Sequence, residues 1–397
     1  MPGPLTGYRV IDVTGVIAGP FATMILADQG ADVIKIEAPQ RPDHTRNAGP
    51  GEPGMRASYL NNNRNKRSVV IDLKSKEGLD AINKLVATAD VFIQNFRPGV
   101  VDRLGIGEAE LRKIKPDLIY VSMSGWGENG PLAHKPVYDP IIQALSGLAS
   151  VQGGSDTVRP RLIRTIVPDK LTAVTAAQAV TAALAGRAKT GEGQHVKVSM
   201  LDSVIAFLWS SDMNGQTFVG EEMTQARAAT FIDLIYETKT DYISVSTMTN
   251  AQWQAFCKAS GRETLLDDPR FASPSLRDQN ANERLELIQE ALLERTAAEW
   301  LEILDKAGVP SSPVLTRAQM INHPQVEASA TVIEYDHPEA GRLRQSRPAA
   351  QFESTPTEIK HGAPALGTHT REVLAEVGYS DTEIDALTEA GILLVRD

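Results

Sequence analysis

The stretch RVIDVTGVIAGPFATMILADQGADVIKIE, residues 9–37, decides how the chain is built. Arg9 to Val13 is a short apolar run that reads as a buried strand. Thr14-Gly-Val-Ile-Ala-Gly-Pro20 reads as a tight loop opening a helix from Phe21 to Gln29, and Asp32 to Glu37 as a second strand. Strand, glycine-containing loop, helix, strand is the order of a right-handed βαβ unit with parallel strands. In such sheets the loop after the first strand lies where ligands bind. This loop lacks the G-x-G-x-x-G spacing, so a dinucleotide is poorly supported.

Outward from this unit the alternation continues. Ser68 to Leu73, Asp90 to Gln94, residues 118–122 and Gln194 to Met200 read as strands, with helices at Ser75 to Thr88, Lys170 to Arg187 and Asp202 to Trp209. Residues 38–64, rich in Pro, Gly, Asn and Arg, are expected to form a long surface loop. Between 210 and 230 neither period holds, and a linker is expected. Beyond it, Phe231 to Tyr236 and Tyr242 to Thr247 read as strands, followed by helices at Ala251 to Ser260, Ala281 to Arg295 and Thr296 to Ala307. That piece is expected to be a second, α+β domain. Val332 to Arg347 has strand character around a glycine turn, and two amphipathic helices, Arg371 to Val377 and Thr382 to Ala390, complete the tail.

Composition narrows the function classes. A chain of 397 residues suits two domains, and 42% hydrophobic content is that of a globular protein with a large core. A formal net charge of −10 argues against a sequence-independent grip on nucleic acid or anionic lipid. The single cysteine, Cys257, rules out an intrachain disulfide, and its setting on a helix face suits a packed thiol. The seven histidines form no His-x-x-x-His pair, so no metal site is expected. No apolar run is long enough for a membrane span and no signal pattern opens the chain, so a cytoplasmic protein without membrane or nucleic-acid partners is expected.

Three groups of residues carry candidate chemistry. Asp169, in Ile166-Val-Pro-Asp-Lys170, falls at the start of a long Ala-rich helix, where free backbone N–H groups and the helix dipole favour its ionised form. An N-cap role accounts for an Asp there, as does a nucleophile able to attack a thioester carbonyl. Asn95-Phe-Arg-Pro-Gly99 follows a strand at the carboxyl edge of the sheet. Arg97 there suits a phosphate, with Arg103 and Lys135 adding positive charge, although a turn with a solvated Arg reads equally well. Tyr138 and Asp139 open a helix running to Leu148, either as a cap or as a proton-handling pair.

Taken together, residues 10–37, NFRPGVVDRLGIG, VSMSGWGENGP, YDPIIQALSGL, KTGEGQHVKVSMLDS and GAPALGTHTREVLAEVGYSDTEI resemble the family III CoA-transferases. That group includes formyl-CoA transferase, carnitine CoA-transferase and, as a sister branch, α-methylacyl-CoA racemase. The resemblance covers nearly the whole chain. It implies a large Rossmann-like domain from residues 1–215 plus 330–397, a linker and small α+β domain at 216–329, and an interlocked homodimer. It also implies an acyl-CoA donor and a carboxylic acid acceptor as substrates. Coenzyme A would be a substrate moiety, with no tightly bound cofactor.

The same resemblance makes Asp169 the nucleophile and the backbone N–H groups of Ile17 and Ala18 the oxyanion donors. It gives Leu73, Lys74, Asn95, Phe96, Arg97, Arg103 and Lys135 the positions that hold CoA, and Tyr138 with Asp139 the Tyr-acid pair of the transferase branch. The racemase branch has His-Asp at that place, so Tyr138 favours transfer over epimerisation. An acyl-CoA racemase and a non-catalytic CoA-binding protein stand as the alternatives. Two departures from the family pattern are Ile17, where formyl-CoA transferase has Gln, and Thr247-Met-Thr-Asn250, where it has a glycine-rich flap.

Overall fold

Short runs rich in β-branched and apolar residues form the strands of a parallel sheet covered by helices. These are β1 (Arg9–Asp12), β2 (Asp32–Glu37), β3 (Lys66–Ile71), β4 (Val91–Gln94), β5 (Ile119–Ser124) and β6 (His195–Ser199). The structure is a computed structural model and describes residues 3–154, 156, 158–222 and 234–396. Further along come β7 (Ile235–Glu237), β8 (Tyr242–Val245) and β9 (Ser311–Pro313), an antiparallel set, then the hairpin β10 (Val332–His337) with β11 (Gly341–Ser346), and β12 (Leu393–Leu394). Among the described residues no helix is long and apolar enough to cross a membrane.

The main sheet has seven strands in the order β12-β3-β2-β1-β4-β5-β6, parallel except for β12, which pairs antiparallel with β3. The strand order reverses between β2 and β4 on either side of β1, and such a switch point opens a crevice at the carboxyl ends of the strands. One face carries the Ala18–Asp28 and Val167–Thr190 helices, meeting through Ala22, Ala173, Ala176, Ala177 and Val180. The other carries Lys76–Ala87, Thr370–Glu376 and Asp381–Glu389 over Ile34, Val69, Ile82, Leu85 and Phe92.

The chain divides into two compact units, one of residues 1–148, 162–213 and 330–397, the other of 149–161 and 214–329. The second unit has its own core of Tyr236, Ile243, Trp253, Phe256, Cys257, Leu285 and Trp300. Of the strand expected from Phe231 to Tyr236, residues 231–233 lie outside the described residues, and β7 begins at Ile235. The expected linker lies partly outside them too.

Two expectations are corrected. Residues 38–64 are a surface loop only in part: residues 49–53 are exposed, but Arg46, Tyr59 and Arg64 are buried and both arginines are paired, with Glu37 and Asp28. The apolar stretch Leu162 to Ile166 forms no regular element. The Gln143 side chain takes over its backbone, accepting from Ile163 N–H at 2.9 Å and donating to Ile163 O at 3.3 Å. The long helix starts at Val167, ahead of the expected start, with proline in its first turn, where a missing N–H costs nothing.

Candidate active site

The loops after β1, β4 and β5, with Met200 after β6 and the first turn of the Val167–Thr190 helix, enclose a cavity of about 260 Å3 at the carboxyl edge of the sheet. Asp169, Tyr138, Ala18, Asn95, Phe96, Arg97 and Lys135 all line it. A second cavity of about 330 Å3 shares Val16, Asn95 and Phe96 with the first and is lined by Leu73, Lys74, Arg41 and Asp43. Of the residues picked from sequence, Ile17, Arg103 and Asp139 line neither. Arg103 lies on the short Val100–Leu104 helix, and Ile17 is the residue preceding the Ala18–Asp28 helix.

Asp169 is the third residue of its helix and does not cap it, so the N-cap reading gives way. The preceding Ile166 has no capping side chain. Instead Asp139, from the neighbouring Asp139–Leu145 helix, accepts from the Asp169 backbone N–H at 3.3 Å and from Gln143 Nε2 at 2.6 Å. Asp139 therefore caps the long helix rather than its own. Burial pushes the Asp169 carboxyl up to about 6, the neighbouring Asp139 adds to the rise, and the Ala18 backbone N–H, on the same cavity wall, opposes it. Burial also raises Asp139 above the ordinary carboxylate range. Two acids this close and this poorly solvated are each harder to ionise.

Ala18 opens the Ala18–Asp28 helix, and no side chain caps that helix's first turn. Its amide is thus free to serve an anion, as helix N-termini do. Gly19 is required beside it, since a Cβ there would lie 2.3 Å from Thr14 Cβ. Arg97 and Lys135 reach the cavity with no carboxylate partner among the described residues, so their charge is available to a ligand. Tyr138, at 72% exposure, lies at the rim. Asn95 differs in kind: its amide accepts from Gly15 N–H at 3.0 Å and donates to Gly15 O at 2.8 Å, tying the loops after β1 and β4 together across the switch point.

Sequence reading missed Met123, Ser124, Trp126, Thr172 and Met200 in the cavity wall. Nothing in their spacing marks them, because the wall is assembled from loop ends and single helix positions. It also missed the buried charges beneath the first loop. Asp12 accepts from Thr14 N–H (2.9 Å), Thr23 Oγ1 (2.6 Å) and Lys66 Nζ (3.1 Å), and Lys35 donates to Thr14 O (2.9 Å) and Asp43 Oδ2 (3.1 Å). A signal was present: Asp12, Lys35 and Lys66 are charged residues in the same strands as the apolar, buried Ile11, Ile34 and Val69. Burial resists ionisation of Asp12, yet Lys66 and Lys35 outweigh it and hold its pKa at about 2.

The sequence profile of CoA-transferase family III matches residues 5–370, and the chain belongs to that family. It is 33% identical to the human succinyl-CoA:glutarate CoA-transferase over 98% of this chain and 90% of that one. It is 38% identical to the acetyl-CoA:oxalate CoA-transferase of Acetobacter aceti over 83% of this chain and 86% of the relative. Among solved structures, a CAIB/BAIF family protein from Brucella suis superposes with a TM-score of 0.82 at 30% identity, covering 95% of this chain and all of that one. The protein is accordingly an enzyme of the CoA-transferase class.

Proposed function

We propose that the enzyme moves CoA from an acyl-CoA donor to a carboxylic acid acceptor through covalent intermediates on Asp169. The named relatives act on glutarate and oxalate, and short carboxylic acids are the acceptor class taken here. The observation that carries this reading is one cavity lined by a desolvated carboxylate, a helix-terminal amide, and two cations that have no carboxylate partner among the described residues.

In the proposed sequence an Asp169 oxygen attacks the thioester carbon, the C–S bond breaks, and an aspartyl mixed anhydride and CoA thiolate result. The thiolate attacks the aspartyl carbonyl, forming an aspartyl-CoA thioester and releasing the donor acid. The acceptor carboxylate then attacks that thioester, giving a second mixed anhydride and thiolate. Attack of the thiolate on the acceptor's carbonyl frees Asp169 and the new acyl-CoA. No water is consumed, so the thioester bond energy passes to the product. Amides of the Ala18 turn suit the oxyanion formed at each attack. Arg97 and Lys135 suit the phosphates of CoA, with the adjoining cavity at Leu73 and Lys74 open to the rest of the nucleotide end. The racemase reading has no support here beyond the shared acid.

The subunit is further proposed to act as a homodimer. The Asp139–Leu145, Val167–Thr190 and Met200–Trp209 helices leave Ile141, Leu145, Val174, Phe207 and Trp209 exposed on one unit, an apolar surface of the kind a partner covers.

The deciding experiment screens acetyl-, succinyl- and other acyl-CoA donors against a panel of carboxylic acids by mass spectrometry, then traps the enzyme with hydroxylamine during turnover. The modification is expected on Asp169, and Asp169→Asn is expected to lose both transfer and trapping while still binding CoA. Turnover by that variant rejects the mechanism.

A further inference from the structure

We propose that Asp43, with its buried partner Lys35, is a positioning residue for the transfer reaction, holding the Thr14–Ile17 loop so that the Ala18 amide meets Asp169. The inference rests on reading Asp169 as the nucleophile.

The loop does not hold its shape by itself. Val16 has φ of +73°, a left-handed conformation that a β-branched side chain rarely adopts. Such a residue persists only where its surroundings fix it, and strain of this kind gathers at functional sites. Here three consecutive residues are each held from another segment. Asp12 accepts from Thr14 N–H, and Lys35 donates to Thr14 O. Asn95 brackets Gly15 with both ends of its amide. Asp43 Oδ1 accepts from Val16 N–H, the longest of the set at 3.4 Å.

Asp43 is itself fixed from several sides. Its Oδ1 accepts from Thr45 N–H (3.0 Å) and Thr45 Oγ1 (2.7 Å), its Oδ2 from Lys35 Nζ (3.1 Å), and its own N–H donates to Glu37 (3.0 Å). The side chains of Lys35 and Asp43 are 0% and 2% exposed. A buried ion pair is a poor source of stability, because desolvation offsets the attraction, but it fixes geometry well. Both members of this pair end on backbone atoms of the strained loop. Two residues beyond Val16, Ala18 opens its helix without a side-chain cap, and it lines the same cavity as Asp169.

Loosening the clamp therefore has a signature that simple destabilisation lacks. Asp169 faces Asp139, which raises its pKa, and the Ala18 N–H, which lowers it, and the second influence is the one the loop delivers. Withdrawing it raises the pKa further and withdraws an oxyanion donor at the same time.

The test compares Asp43→Asn, Thr45→Val, Val16→Gly and the Asp43→Asn/Val16→Gly double variant, using the best substrate pair from the screen and CoA itself for calorimetric binding. Asp43→Asn is expected to lower kcat about 10- to 100-fold, as sub-ångström misplacement of a donor does, whatever its effect on CoA affinity through the cavity it also lines. The acid limb of the pH–rate profile is expected to move upward by about half a unit. Thr45→Val, a milder change to the same carboxylate, is expected to act in the same direction and keeps the proposal testable if Asp43→Asn folds poorly. Glycine tolerates the left-handed region, so the fold-loss from Asp43→Asn is expected to shrink to about a third or less in the Val16→Gly background. Unchanged kcat and acid limb in folded variants, a loss confined to CoA affinity, or equal losses in both backgrounds overturns the clamp. Asp169→Asn run alongside separates the two readings: if it is inactive while Asp43→Asn matches wild type, only the clamp fails.

Discussion

Asp169 is held in a setting that works against its own charge. Its folded pKa of about 6 lies above the ordinary 3.8, so between those values the folded chain binds the proton more tightly than the unfolded chain. Stability from this group is therefore present below about pH 4, is lost as pH rises toward 6, and stays lost at neutral pH. A neutral Asn avoids the loss. Asp169→Asn is expected to be more stable than wild type at pH 7 by on the order of 1–2 kcal/mol, after allowing for partial solvent exposure, and equal to it near pH 4. Chemical denaturation at the two pH values checks this. Activity runs the other way under the proposed mechanism, in which Asp169 must be ionised to attack, and transfer is expected to rise through an apparent pKa near 6. The sequence located Asp169 at a helix start, and the resemblance supplied a role for it. Its pKa could not be read, because the rise comes from burial and from Asp139, thirty positions earlier, and is opposed by Ala18 on another helix.

At the scale of elements, small residues let the two helices on one face of the sheet approach closely. Ala22, Ala173, Ala176 and Ala177 are buried at 0–5% exposure between the Ala18–Asp28 and Val167–Thr190 helices, both of which bear site residues near their first turns. Ala176→Leu is expected to destabilise by about 1–3 kcal/mol through overpacking and to lower kcat as well, because separating the helices pulls Ala18 from Asp169. Denaturation and steady-state kinetics on the same sample measure both. The βαβ elements were legible because short apolar runs alternate with helical stretches and their loops carry glycine or proline. β9 and β12 were not, being three and two residues long and paired through partners far along the chain.

At the scale of the molecule, Phe207 and Trp209, each about half exposed, occupy the end of a helix whose other face is buried. If a second copy covers them, the wild-type chain is expected to sediment at twice its 43.0 kDa mass, and Phe207→Glu to shift it toward the single chain. Wild type sedimenting as a monomer at micromolar concentration removes the dimer from the account. The charge buried beneath the active-site loop belongs to this scale as well, since Asp12, Lys35, Asp43 and Lys66 arrive from three strands and the segment after β2.

What the amino-acid order determined alone was the parallel α/β alternation, the family resemblance and the residue types at the carboxyl edge. These depend on periodicity and short-range backbone chemistry, which neighbouring residues specify. Tertiary structure alone decided that Asp139 caps the helix of Asp169, that Asn95 binds backbone, and that Val16 is strained beside a buried ion pair. Those facts depend on which distant atoms share a desolvated space, and no local pattern encodes that distance.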